Sequence, residues 1–565
     1  MSDLCKSCNF LVEDEFHCDP KDPNACSACR KLAELDAKYR TVIAELRIER
    51  SKLKEEVNRN HSKLIQRFPP EILSHVFKLC LPEDPMNIEF WGDRVVDNYT
   101  ICTPLILSGA CRWWRSVAYS TPQLWSTILI PFFHKDTDSY DRDITDTFPP
   151  LPLPIVVKQW LDRAGNLPLS INVFEAPGNH GWNRKQQKII VQIIEQLNLK
   201  CSRWQKLKFC GLPDNLELFS WSDATLPQLR MLDLSLYFEG DSVNFKIYAA
   251  GLKMLSIKNI SLKVLNFDWS NLTELSMVGQ PLSDCLDALQ RAPGLLQFIA
   301  RDLASPHRGV MPPQSPIILP NITFLEIDDS SSRFLENVTF ASLKTLVLKG
   351  YLKKDINVVF AFLKRSECSL EQLSLGLALE RSHLISLFQD MPTLRHLTFN
   401  FIGRYHKVYD YSSDVLDLLA DFSTVNGSIV PRYLPHLNSL TLISKHDPNW
   451  TKLPKIFGKS HKRIIERHRL SLESILVKTG TYGLYHRIDK KHMERILWIR
   501  DCFGVKWRII FGEQGKLLEP LLNYYAVQRP FSLLPLVGQN LFRQLLPNDS
   551  EASDPTFNAA FMFNY

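Results

Sequence analysis

Between residues 203 and 477 one short phrase occurs twelve times, and it limits the folds open to the chain more than any other feature. Each copy is an apolar residue, two variable residues, an apolar residue, one variable residue and an apolar residue, or a close variant. Examples are "GLKMLSI" at 251, "NLTELSM" at 271, "SLKTLVL" at 342 and "SLEQLSL" at 369. Between the central positions Leu207, Leu232, Leu255, Leu275, Phe298, Leu325, Leu346, Leu373 and Leu397 the intervals run from 20 to 27 residues. A strand places alternate side chains on opposite faces, so the last two apolar residues of each phrase point inward together while the residue between them faces out. Stacking such strands makes a parallel sheet over a continuous apolar ladder, and each unit needs its neighbours to bury that ladder. Between phrases, "SDCLDALQRAP" and "SHLISLFQDMP" have helical periodicity and stop at proline, which predicts alternating strands and helices.

The phrase and its period resemble leucine-rich repeats, and the resemblance implies a curved solenoid of parallel strands and helices over residues 150–545. The copy at 261 lies ten residues from its neighbours and is expected to be a shortened unit. The spacing widens from Leu397 to Leu440 and again to Ile475, so insertions there should hang as loops or cap the array. Upstream, "VKQWLDRAGNLPLSINVF" at 157–174 reads as a helix, a turn and a strand with Leu169, Ile171 and Val173 on one side. Residues 546–565 are expected to be a C-terminal tail.

The chain has 565 residues, 45% of them hydrophobic, enough for a large core and too long for one compact domain. No apolar run approaches the ~18 residues of a membrane span, and the N-terminus has no signal-peptide pattern. Thirteen cysteines, scattered singly beyond residue 80, suit reduced thiols better than a disulfide framework. A cytoplasmic or nuclear location is expected. The net charge of +6 is uneven: residues 445–510 hold 16 Lys/Arg and 6 Asp/Glu, which makes that segment +10 and the remainder −4. A solvated face explains such a segment better than nucleic-acid binding.

Residues 1–29 are cysteine-rich. The pairs Cys5/Cys8 and Cys26/Cys29, 17 residues apart, have the spacing of a four-cysteine zinc site, because two thiolates three residues apart can grip one edge of a tetrahedral ion. The glycines and aromatics that usually shape such a site are missing, and four reduced thiols are the other reading. No cofactor is otherwise required. From residue 30 to about 65 the chain lacks proline and glycine and carries Leu32, Leu35, Tyr39, Val42, Leu46 and Leu53 at heptad spacing, which predicts a long amphipathic helix. Glu49 and Glu56 interrupt that seam, so self-association through residues 30–65 competes with packing on the same chain.

Pro69 and Pro70 end that helix and start another, since proline is tolerated only in a first helical turn. In "FPPEILSHVFKLCLP" at 68–82, Ile72, Leu73, Val76, Phe77 and Leu79 cover one broad face. A polar, acidic stretch follows, then "LILSGACRWWRSVAYSTPQLWSTI" at 105–128, read as a second helix over Leu105, Leu107, Ala110, Trp114, Val117 and Ala118 that ends at Ser120–Pro122. The two halves, in this order, resemble the F-box motif in its fungal F-box-like version, over residues 66–130. Phe68 stands where the motif usually has leucine, and the insertion between the halves is long; loop length costs little free energy. The resemblance implies a module that docks the Skp-type adaptor of a cullin ubiquitin ligase core. By that resemblance Pro69, Pro70, Ile72, Leu73 and Phe77 make the contact, and Leu107, Trp113, Trp114 and Trp125 supply or support its second half. Trp114 and Trp125 could equally tie the helices to the next domain.

No nucleophile elbow, phosphate-cradling glycine loop, zinc-protease pair or supported carboxylate pair is found in the sequence. His461, His468 and His486 lie in the basic segment, where surface histidines are far commoner than catalytic ones. Cys80 and Cys111 sit on apolar helix faces. The expectation is a non-enzymatic α/β protein: a long N-terminal helix, a helical F-box-like module and an irregular leucine-rich-repeat solenoid whose outward residues bind a substrate protein. A repeat scaffold with no ligase role is the alternative.

Overall fold

The computed structural model describes residues 26–61, 68–82, 98–133, 154–176, 182–219, 226–237, 249–262, 265, 267–303, 316–349, 356–376, 379–400, 411–444, 450–458, 460–461, 464–465, 467–479, 490–511 and 516–517. It is a mixed α/β protein with a large parallel sheet, and the chain divides into two units. The first takes in Met1–Leu252 and Lys263–Asp268; the second takes in Lys253–Leu262 and Trp269–Tyr565. No helix among the described residues is long and apolar enough to cross a membrane.

In the first unit, helix α1 (Ser27–His61) comes before three short helices, α2 (Pro70–Leu79), α3 (Asn98–Ala110) and α4 (Arg112–Tyr119). Strands β1 (Thr127–Phe133), β2 (Leu169–Ala176), β3 (Trp204–Gly211) and β4 (Met231–Leu236) follow, each parallel to the next. Helices α5 (Pro154–Arg163) and α6 (Arg184–Asn198) connect the first three strands. Asn183 starts α6 because its side chain accepts from the Lys185 and Gln186 amides at 3.0 Å, while the Gln186 side chain accepts from the Asn183 amide. Two of the amide groups that a helix start leaves unpaired are thereby satisfied. Ile190, Ile193, Ile194 and Leu197 then turn one stripe of α6 into the core.

The second unit carries β5 (Met254–Lys258), β6 (Glu274–Val278), β7 (Gln297–Arg301), β8 (Phe324–Ile327), β9 (Thr345–Leu348), β10 (Gln372–Leu375), β11 (His396–Asn400), β12 (Ser439–Ser444), β13 (Ser474–Thr479) and β14 (Lys506–Phe511), again parallel in chain order. Helices α8 (Leu282–Arg291), α9 (Ile356–Ser366), α10 (Arg381–Gln389), α11 (Tyr411–Leu419) and α12 (Lys490–Phe503) lie between strands; the short α7 (Pro213–Glu217) belongs to the first unit. The registers align Leu255, Leu275, Phe298, Leu325, Leu346, Leu373, Leu397, Leu440 and Ile475 across neighbouring strands. These are the central positions of the sequence phrase, all buried. Removing each such side chain from water contributes roughly 1.5–3 kcal/mol.

Of the strands named, β1, β2 and β14 lie outside the twelve phrases; β2 is the strand expected from residues 157–174, and Trp507 of β14 extends the ladder next to Ile475. The copy at 261 makes no strand among its described residues. Strand ends repeat a backbone device as well. Asn259, Gly279 and Asp302, each the first residue after its strand, all have positive φ. At Gly279 a Cβ would also lie 2.5 Å from the Asn259 side-chain oxygen, so only glycine meets both demands.

The basic segment turns inward more than its charge suggested. Arg469 is fully buried, and its guanidinium donates to the carbonyls of Ile456 (3.3 Å), Leu419 (2.9 Å), Tyr433 (3.0 Å) and Leu434. Leu434 itself has φ +48°, a costly conformation for leucine, and its carbonyl is one of the four. Burial pulls the Arg469 pKa down to about 10, still high enough for the side chain to stay charged at neutral pH. Arg467 donates to the carbonyls of Phe503, Leu470 and Leu472 in the same manner.

In the first unit the matching group is an acid. Glu175, fully buried at the end of β2, accepts from the Leu212 amide at 2.7 Å and the Asn215 side chain at 2.6 Å. Gly211 leaves room for it, since a Cβ there would collide with the carboxylate. Burial raises the Glu175 pKa to about 7 against the pull of those two hydrogen bonds, with Asp214 nearby adding to the rise.

Replacing Arg469 with methionine is expected to cost about 3–5 kcal/mol in urea denaturation, because several buried carbonyls lose their donor at once. Arg469→Lys should recover only part of this, since an ammonium cannot reproduce the planar fork. The Glu175 proton is held more tightly in the folded chain than in the unfolded one. Its contribution to stability is therefore complete below pH 4.5 and is lost as the pH rises through 7. Glu175→Gln should gain stability relative to the unmodified protein over that window, read as a difference between the two urea midpoints against pH.

Candidate docking surface

Helix α2 begins at Pro70, where the missing amide costs nothing, with Glu71 in the first turn and Lys78 in the last, both favourable to the helix dipole. Its apolar residues form two adjacent stripes. Leu73 and Phe77 point into the protein and are 2% and 1% exposed. Ile72, Val76 and Leu79, about 100° round the helix, are 49%, 41% and 73% exposed. The chain covers the first stripe and leaves the second in water.

Phe77 packs on Trp114 of α4 with ring centroids 5.0 Å apart. The Thr121 hydroxyl, just after α4, donates to the Val117 carbonyl at 2.7 Å and shares a hydrogen bond with the Ser74 hydroxyl of α2 at 3.0 Å. The helix expected over residues 105–118 is broken at Cys111, whose sulfur accepts from the Trp114 amide and caps α4. Arg115 reaches back to the Ser108 carbonyl at 3.0 Å and fixes the angle between α3 and α4.

Trp125 is completely buried. Its indole N–H donates to the Ala118 carbonyl at 2.8 Å, and its ring meets Trp160 of α5 edge-on at 4.9 Å. Trp160 in turn donates to the Thr127 carbonyl at the start of β1. Arg163 lies over both Tyr119 and Trp125, 3.8 and 4.8 Å from the ring centres. These aromatic contacts join the last helix of the module to the first strand.

The expected contact residues thus separate. Leu73, Phe77, Leu107 and Trp125 are buried within the chain, Phe77 against Trp114 of α4 and Trp125 against Trp160 of α5. Trp114 is half-buried, whereas Pro69, Pro70, Ile72 and Trp113 are exposed. Val76, Leu79 and Ile106, the last 48% exposed, join them as accessible apolar side chains. The signal for Val76 and Leu79 was present in the sequence, because the apolar arc of α2 is wider than one neighbouring helix can cover.

Of the four cysteines considered for zinc, Cys5 and Cys8 lie outside the described residues, as does the side chain of Cys29; Cys26 is buried at the start of α1. Among the described residues no group of three or more His, Cys, Asp or Glu side chains is placed to hold a metal ion. Burial, with Asp284 beside it, pushes the Cys285 thiol well up, the opposite of what a nucleophile requires.

The second unit has an outward sheet face. There Glu326 of β8 is held between Arg301 at the end of β7, whose Nε donates at 2.6 Å, and Lys349 just past β9, whose Nζ lies 2.6 Å away. Further along, Ser374, Thr398 and Thr441 stand in register on β10, β11 and β12 as a half-buried, uncharged hydroxyl row. Such a row can hydrogen-bond a ligand without the desolvation cost of a charge. No family model matches the chain, and no curated protein matches it.

The two stripes of α2 should respond differently to substitution. Leu73→Ala and Phe77→Ala are expected to lower unfolding free energy by about 2–5 kcal/mol. Ile72→Ser and Val76→Ser should stay within about 0.5 kcal/mol of the unmodified protein in the same denaturation experiment.

Proposed function

We propose that the protein is a non-catalytic, substrate-recruiting adaptor of a cullin-type ubiquitin ligase. Helices α2–α4 act as an F-box-like module that docks a Skp-type adaptor, and the repeats behave as leucine-rich repeats that present a target protein. The observation that carries this reading is the exposed stripe Ile72, Val76 and Leu79 beside the buried stripe Leu73 and Phe77. Exposed, contiguous apolar residues on a rigid helix mark a surface meant for a partner. The buried stripe and Trp125 hold that helix in place.

The adaptor would work by proximity alone. Holding a target beside the loaded transfer enzyme raises the effective concentration of its lysines and needs no catalytic group on this chain. The outward face around Ser374, Thr398 and Thr441, with the Arg301–Glu326–Lys349 cluster, offers the target both hydroxyls and charge. A scaffold with no ligase role is the second reading, and the weld through Trp125 and Trp160 favours it, because helices so joined to the first strand also serve as an end cap.

Co-purification of the full chain with the Skp-type adaptor separates the two. The unmodified protein should retain the adaptor, and Ile72→Asp with Val76→Asp should lower its affinity at least 100-fold while leaving the urea midpoint unchanged. If the unmodified protein does not retain the adaptor, the scaffold reading stands.

A further inference from the structure

Helix α1 spans Ser27–His61, and its heptad residues Leu32, Leu35, Tyr39, Val42, Leu46 and Leu53 are all 45–67% exposed. Among the described residues the same chain leaves this seam exposed. With Leu32 at position a of the heptad, the a residues are Leu32, Tyr39, Leu46 and Leu53, and the d residues are Leu35, Val42, Glu49 and Glu56.

The flanking charges say what covers the seam. In a parallel, in-register pair each g residue meets the e residue five positions on in the other copy. Lys31 then faces Asp36, Glu45 faces Arg50, and Lys38 and Lys52 face Ile43 and Val57. Both ionic contacts are attractive, each occurs twice by symmetry, and none is repulsive. Antiparallel pairings that keep the leucines in contact set Lys31 against Lys52 together with Lys38 against Glu45, or Glu45 against its own copy, so only the parallel pair is free of repulsive flanking contacts.

We propose that the protein forms a parallel homodimer through an in-register coiled coil of α1, with residues 32–46 as its apolar seam. Beyond Leu46 the d positions hold Glu49 and Glu56, which face their own copies across the dyad, so the coiled coil tightens toward its N-terminal half and the dimer is reversible. Phe68 follows His61 by seven positions, no more than ~25 Å of chain. Parallel pairing therefore brings two copies of α2 to the same end of the coiled coil. This inference does not rest on the ligase reading: the seam and its charges act alike in an adaptor or a scaffold.

Sedimentation equilibrium of the full chain over a range of concentrations tests it. The unmodified protein should pass from monomer to dimer, and Leu35→Asp with Val42→Asp should raise the dissociation constant at least 100-fold. Glu49→Leu with Glu56→Leu should lower it tenfold or more. Glu45→Arg should weaken the dimer by setting like charges at position 45 and Arg50, and adding Arg50→Glu should restore it. A monomer at every concentration in both the unmodified protein and the Glu49→Leu, Glu56→Leu variant overturns the proposal, as does a Glu45→Arg loss that Arg50→Glu fails to rescue. Either failure leaves adaptor co-purification untouched, so the two readings fall separately.

Discussion

Everything in the sheet depends on each strand meeting its neighbours in one register. A slip of one residue would turn an entire apolar set from the core to the solvent. Leu255, Leu275, Phe298 and Leu325 stand side by side because their phrases share one spacing from the inward residues to the turn. Stacked strands have a second requirement. Where loops are carried indoors, their carbonyls and amides need partners, and the sheet cannot supply them. Arg469, Arg467 and Glu175 answer that need with side chains that sequence reading assigns to the surface.

The same economy shapes the helical module. Leu73 and Phe77 are turned inward, Phe77 onto Trp114 of α4, and Trp125 joins α4 to α5 through Ala118 and Trp160. What is left exposed is the neighbouring stripe of Ile72, Val76 and Leu79. In the adaptor reading proposed above, a docking helix must satisfy its own protein before it can serve another, and α2 is apolar over enough of its circumference to do both.

The parallel sheet was legible because period and alternation repeat along the chain, and even the aligned residues could be named in advance. The outer rungs were not. The β1 strand lacks the phrase, and the "KWRIIF" of β14 sits in a basic context that masks its alternation. The break at Cys111 was hidden as well, since a thiol capping a helix leaves no recognised pattern. At the site, a helical wheel shows that Ile72, Leu73, Val76 and Phe77 share one broad face. Which half is covered depends on where Trp114 lies, and that distance is set by the fold rather than by local sequence.

The carbonyls of Leu434 and Leu419 precede their donor, Arg469, by 35 and 50 residues. A chain is made from its N-terminus at about 5–20 residues per second, so those groups wait roughly 2–10 seconds for a partner. During synthesis the stretch from Leu419 to Leu434 is thus complete in sequence but not in hydrogen bonding. The arginine acts as a late latch, and ribosome pausing or truncation between the two would leave a nascent chain whose carbonyls at Leu419 and Leu434 lack their donor.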